Sequence, residues 1–200
     1  MNTTLLLLRH GQIKANKVGR WHGSTDSALN WTGRRQAKST GRYLVSQPPL
    51  TAVYASPLDR CQHTARLASH GQDLTVQTIE GLREMGIGEW EDTRFSELAE
   101  THDFINRTNQ DIHFSAPGGE SLAQVAERVT DALNEIDARH SDNDRVLVVS
   151  HGVALAVALA VFLHDSPAHW GKYHFNNCSL SELVLSPEPI VRRFNETAHL

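Results

Sequence analysis

The sequence is poor in cysteine, with only Cys61 and Cys178 among 200 residues. A disulfide framework is therefore not expected, and both thiols should stay reduced in a cytoplasm and fill core space. Long hydrophobic runs are also missing. Met1-Asn2-Thr3-Thr4 carries no positive charge, and Leu5 to Leu8 is cut at once by Arg9-His10, so the start does not read as a signal peptide. The longest apolar stretch, Val153 to Leu163, falls well short of the ~20 residues that cross a bilayer and reads as a buried helix. Nor is there an excess of positive charge. With 19 Lys+Arg against 23 Asp+Glu, a net charge of −4 and no block of like charges, the basic footprint of a nucleic-acid binder is absent. Several catalytic signatures are lacking too. No G-x-S-x-G supplies a nucleophile elbow, HExxH is absent, and Gly86-Ile87-Gly88 has neither the third glycine nor the preceding strand of a dinucleotide fingerprint. Although 12 histidines are present, no two lie three or four residues apart, so no helix offers a pair to a metal ion.

What is there suits a packed soluble protein: 40% hydrophobic and 21% charged residues, at a length that fits one domain spanning residues 1–200. Thr4 to Leu8 reads as a central strand, followed by a long loop from Arg9 to Leu29. A helix from Thr32 to about Ser46 stops before Pro48-Pro49, and TAVYA, residues 51–55, is a second strand. Ser56 is the expected N-cap of a helix with Pro57 in its first turn, running to Gly71. Leu74 to Ile79 is a strand by β-branched content, Leu82 to Trp90 a loop, and Thr93 to about His102 helical. Residues 103–118 give no clear pattern. Leu122, Val125, Ala126, Val129, Leu133 and Ile136 fall at helical spacing, for a one-faced helix ending near His140. Arg145 to Val149 is a buried strand that feeds the apolar helix through Ser150-His151-Gly152, and Ser179–Leu185 and Ile190–Phe194 close the chain as strands. Alternating strands and helices imply a three-layer α/β/α sandwich around a mostly parallel sheet.

Ligands of open α/β sheets bind beyond the carboxyl ends of the strands. Two such ends hold His-Gly, in Arg9-His10-Gly11 and Ser150-His151-Gly152, and the second strand delivers Ser56-Pro57-Leu58-Asp59-Arg60. The convergent set is Arg9, His10, Arg60 and His151. Two guanidinium forks and two imidazoles in an otherwise acidic protein suit a phosphate group. A neutral imidazole can attack phosphorus directly and form a phosphoramidate, which requires no metal and no cofactor.

Leu8-Arg9-His10-Gly11, Asn16, Ser56-Pro57-Leu58-x-Arg60 and Ser150-His151-Gly152, in this order and spacing, resemble the histidine phosphatase superfamily, the phosphoglycerate-mutase-like proteins, from residue 5 to about 182. The resemblance implies His10 as nucleophile, Arg9 and Arg60 as phosphate clamps, and His151 as transition-state stabiliser. It also implies Glu84 as general acid; sequence alone would not choose Glu84 over Glu80, Glu89 or Glu91. Asn16, His22 and Gly23 match positions that line the phosphate or substrate pocket in relatives, and Gly152 offers a backbone N–H at a helix start. Pro117-Gly118-Gly119-Glu120-Ser121 resembles a family element whose chemistry is a turn and helix start, or a substrate contact.

The expected activity is a metal-independent phosphomonoesterase acting on a small-molecule phosphate ester. Residues 59–66, the segment from Glu84 to Glu91 and PGGES resemble the α-ribazole phosphatase branch, which dephosphorylates a cobalamin-pathway nucleotide. Many relatives read Trp-Glu-Gly where this chain has Trp90-Glu91-Asp92, which adds a carboxylate beside the acid loop. Broad action on sugar phosphates or nucleotides is the alternative; a mutase ranks lower because mutases of the family resemble longer chains with extra segments for which 200 residues leave little room, and a non-catalytic regulatory module because every catalytic position is filled. Trp21 and Trp90 are candidates to wall the pocket, whereas Trp31 and Trp170 read as core. No feature of the surface specifies an oligomeric state.

Overall fold

A computed structural model describes residues 2–200. Six strands, β1 (Thr4–Arg9), β2 (Ala52–Ala55), β3 (Val76–Thr78), β4 (Arg145–Ser150), β5 (Leu180–Val184) and β6 (Ile190–Glu196), form one sheet in the order β3-β2-β4-β1-β5-β6. The first four strands run parallel to their neighbours, and β5 and β6 complete one edge antiparallel.

Because strand side chains alternate between faces, the apolar runs serve two cores at once. Leu5, Leu7, Tyr54, Val146 and Val148 face one cluster, which is covered by α6 (Leu122–Ala138) and α7 (Gly152–His164). Leu6, Leu8, Val53, Leu147 and Val149 face the other, beneath α2 (Trp31–Val45) and α3 (Asp59–Ala68). The α/β/α sandwich follows from this division. The apolar α7 needs no polar face, since Ala154 through Ala160 are all buried. The start of α6 is set by a capping box: Ser121 Oγ accepts from the Gln124 N–H, and Gln124 Oε1 accepts from the Ser121 N–H at 2.9 Å. Both cysteines are buried and free. Among the described residues, no helix is long and apolar enough to cross a membrane.

Three local expectations need correction, and one segment left without a pattern gains an element. The segment from Arg9 to Leu29 is not all loop: it holds a short helix, α1 (Lys14–Val18), closed by Gly19 at φ 68. Five residues are too few to show a period. Ser56 does not cap α3, which begins at Asp59 behind Leu58 and ends at Ala68; the Ser56 hydroxyl is engaged by His151 instead. Trp31 is not core but 74% exposed on the first turn of α2, where Arg35 lies over its ring at 5.3 Å. Within 103–118 the chain forms a further helix at Phe104–Gln110, preceded by one at Phe95–Glu100; in chain order these are α5 and α4.

Candidate active site

The register of β1 on β4 pairs Arg9 with Ser150, and β2 on β4 pairs Ala55 with Val149. The strands therefore leave the carboxyl edge with His10 beside His151 and with Ser56 level with Ser150, one residue before His151. Backbone bonds from His10 N to Ser150 O and from Ser56 N to Val149 O, both 3.0 Å, hold the row together. The two imidazoles meet edge-on with ring centroids 5.2 Å apart.

His10 Nδ1 lies 2.8 Å from the Gly11 carbonyl, an acceptor only, so Nδ1 carries the proton and Nε2 presents a lone pair. Burial, then the charges of Arg60 and Arg9, hold His10 well below the usual histidine pKa, which keeps it neutral. His151 is lowered in the same direction by burial first, then by Arg60. Its Nδ1 accepts from Arg60 Nε at 3.2 Å, so its Nε2–H donates to Ser56 Oγ at 2.8 Å.

These shifts carry a stability prediction. Histidines that are kept neutral when folded but take up protons when unfolded leave stability complete above the unfolded pKa, near ~6.5, and erode it as pH falls below that value. Each such proton adds a slope of about 1.4 kcal/mol per pH unit. Denaturant unfolding of wild type and His151→Gln between pH 7.5 and 5 should show the steeper acid loss in wild type; parallel profiles would mean that His151 titrates normally.

The two arginines are held differently. Arg9 donates from Nη1 to the Phe175 carbonyl at 2.5 Å, while its buried Nε has no partner. An unmet buried donor of this kind costs about 1–3 kcal/mol unless a ligand oxygen meets it. Arg60 is fully committed: besides Nε to His151, Nη1 donates to Thr25 O and Asp26 Oδ1, and Nη2 to His22 O and Gly23 O. All five of its donors go to protein, which puts its charge beneath the site and one N–H on His151 Nδ1.

Glu84 reaches the same site from the loop after β3. Its Oε1 accepts from the Met85 and Ala154 N–H groups at 3.0 Å, and Oε2 from Val153 N–H at 3.2 Å. The carboxyl thus sits on the free N–H groups of the first turn of α7. Oε2, with a single bond, is the oxygen with room for a proton. Ser150 Oγ donates to the Leu82 carbonyl at 2.7 Å and ties this loop to β4.

A cavity of about 520 Å³ opens over these groups. Arg9, His10, Asn16, Glu84 and Gly152 line its base; Trp21, Phe95, Val153, Ala156, Trp170, Tyr173 and Phe175 give it an apolar, largely aromatic wall. His151 and Arg60 are buried below and do not line it. Asn16 Oδ1 accepts from Ile13 N and Asn177 Nδ2, which leaves its Nδ2 as the donor toward the cavity. Asn177 Nδ2 also donates to the His10 carbonyl at 3.0 Å.

Of the remaining expectations, His22 lines the cavity but Gly23 does not; its carbonyl holds Arg60, and a Cβ there would lie 2.1 Å from the Met85 carbonyl oxygen. Trp21 walls the cavity, as does Trp170, which is not core; Trp90 instead packs on His102 and Phe104. Asp92, with φ 58, occupies a left-handed position that glycine adopts freely, and its carboxylate pairs with Arg20 and with His22 Nε2 at 2.9 Å. Sequence reasoning weighed Glu91 only as a rival to Glu84 and missed its part in the loop at residues 22–25. Its carboxylate accepts from the N–H groups of Gly23, Ser24, Thr25 and Ile87; burial raises its pKa, but these bonds outweigh that and lower it. Glu91 thereby shapes the loop whose carbonyls grip Arg60.

Comparison with known proteins matches residues 5–197 to the family model of the histidine phosphatase superfamily (branch 1). The chain belongs to that superfamily. A bifunctional protein of Mycobacterium tuberculosis is 34% identical over 201 residues, covering 99% of this chain, which spans only 55% of that relative's length. Phosphoserine phosphatase 1 of Hydrogenobacter thermophilus is 31% identical over 98% of this chain and 93% of its own. The crystal structure of the α-ribazole phosphatase from Shigella flexneri superposes with a TM-score of 0.84 at 26% identity, covering 98% of this chain and 97% of that one.

Proposed function

We propose that the protein is a metal-independent phosphomonoesterase working through a phosphohistidine, and that its substrate carries a flat aromatic group, α-ribazole 5′-phosphate of cobalamin nucleotide loop assembly being the best match. His10 Nε2 attacks phosphorus as the P–O ester bond breaks, and the departing alkoxide takes the proton from Glu84. The Glu84 carboxylate then removes a proton from water as the water oxygen attacks the phosphohistidine, which releases phosphate and restores neutral His10. Arg9 Nε, Asn16 Nδ2 and the Gly152 N–H supply donors to the phosphate oxygens. The free Arg9 Nε favours an anion at this point.

The cavity wall carries the choice of substrate. Among the described residues lining the cavity the carboxylate is Glu84, in the base, and the Nη1 of Arg20 is engaged by the Asp92 side chain and carbonyl. A leaving group with a carboxylate of its own, as in phosphoserine or phosphoglycerate, would share Arg20 with Asp92, whereas a planar base finds Phe95, Trp170 and Tyr173 on the wall. Phosphate release from α-ribazole 5′-phosphate, phosphoserine, 3-phosphoglycerate, sugar phosphates and mononucleotides, in EDTA, tests this. The expected kcat/KM for the ribazole ester stands about 100-fold above the others, near 2.7 kcal/mol of discrimination, and Trp170→Ala should remove much of that margin. A flat profile in wild type would make the protein a broad small-molecule phosphatase.

A further inference from the structure

Glu84 is attached to a loop, yet a proton donor must be placed to within a fraction of an ångström. The side chain that meets this loop from the far side is Arg128, at the end of the second turn of α6. Its guanidinium has five N–H donors, and all are spent on the Glu120 carboxylate and three carbonyls of the loop. Nε and Nη2 fork onto Glu120 Oε1 and Oε2 at 2.7 and 2.9 Å. Nη1 donates to the carbonyls of Gly81 at 2.9 Å and Arg83 at 2.7 Å, and Nη2 to the carbonyl of Glu84 itself at 3.1 Å. Glu120 completes the clamp: its Oε2 accepts from the Gly86 N–H at 2.9 Å, and its own N–H donates to the Gly86 carbonyl at 2.8 Å. Neither Arg128 nor Glu120 lines the cavity.

We infer that Arg128, braced by Glu120, is a positioning residue for the general acid, fixing the backbone of residues 81–86 so that the Glu84 carboxyl stays on the N-terminus of α7. The inference rests on the acid role proposed above for Glu84. It also gives PGGES a specific task, since its glutamate aligns the guanidinium while its serine caps the helix that carries Arg128. The carboxylate is suited to this: burial raises the Glu120 pKa, but the bonds from Arg128 and the Gly86 N–H outweigh that and keep it ionised. Lysine, with a single ammonium, cannot hold three carbonyls and a carboxylate at these separations.

The test compares kcat/KM for 2-phenylethyl phosphate, whose alkoxide needs the proton, and 4-nitrophenyl phosphate, whose phenolate does not. Arg128→Lys should lower the first by about 100-fold, the loss expected for a misplaced catalytic group, and the second by about 3-fold or less. In a Glu84→Gln background the same substitution should add little, because the group it positions is already gone. Glu120→Gln, a milder change, should give the same asymmetry on a smaller scale. Equal losses on both substrates, or losses that multiply with Glu84→Gln, would overturn the positioning role and leave Arg128 a general support of the fold. Wild type without His10-dependent release from either ester would instead refute the phosphatase reading itself.

Discussion

Replacing His10 by alanine should abolish turnover, with kcat falling by about 10⁴-fold or more, the scale on which loss of a nucleophile registers. Reactions of His10→Ala with labelled substrate, quenched in alkaline detergent, should retain no protein-bound phosphate, whereas wild type should retain a base-stable adduct that acid then releases. The reason is the lack of a substitute. His151 is the next imidazole, but its Nδ1 accepts from Arg60 and its Nε2–H donates to Ser56. Cys61 lies 3.4 Å from His151 Nε2, but burial pushes its thiol far up, so no thiolate forms there. Appreciable release by His10→Ala, or a phosphoenzyme formed without His10, would place the nucleophile elsewhere.

Glu84→Gln should give the second largest effect and a diagnostic one. General acid catalysis contributes about 10²–10⁴-fold, so an alkyl phosphate should lose kcat/KM by that amount, while 4-nitrophenyl phosphate should keep most of its own. The amide retains much of the side chain's shape and can still accept on its oxygen from the N–H groups of Met85 and Ala154, so the loop should not move far. Because the carboxylate also serves the hydrolytic step, nitrophenolate should appear as a burst followed by slow turnover. If both esters lost equally and no burst appeared, the acid would have to be another group.

Much of this site was legible because its key positions are local. A strand that ends in Arg-His-Gly must present His10 at the sheet edge, and a second that ends in Ser-His-Gly must do the same for His151; parallel pairing of the two then brings them together. Long apolar helices and buried strands were legible for the same reason. What stayed hidden depends on partners distant in sequence. Arg60 could be placed near phosphate by its helix turn, but not recognised as spent on the carbonyls of residues 22–25. Arg128 looks like any charge on the polar side of α6 until the loop at 81–86 is packed against it. Trp31 and Trp170 show the limit of composition: the same residue type sits on the surface in one case and on a cavity wall in the other.

The order of the strands also bears on how the molecule acquires activity. β1 and β4 are neighbours at the middle of the sheet, yet their paired residues, such as Leu7 and Val148, are joined by most of the chain. Contacts of such high sequence separation form slowly, because a long loop must close before they repay its entropy. Refolding should therefore restore helical signal ahead of phosphate release, and a chain lacking β4 should carry His10, Arg60 and Glu84 without assembling them.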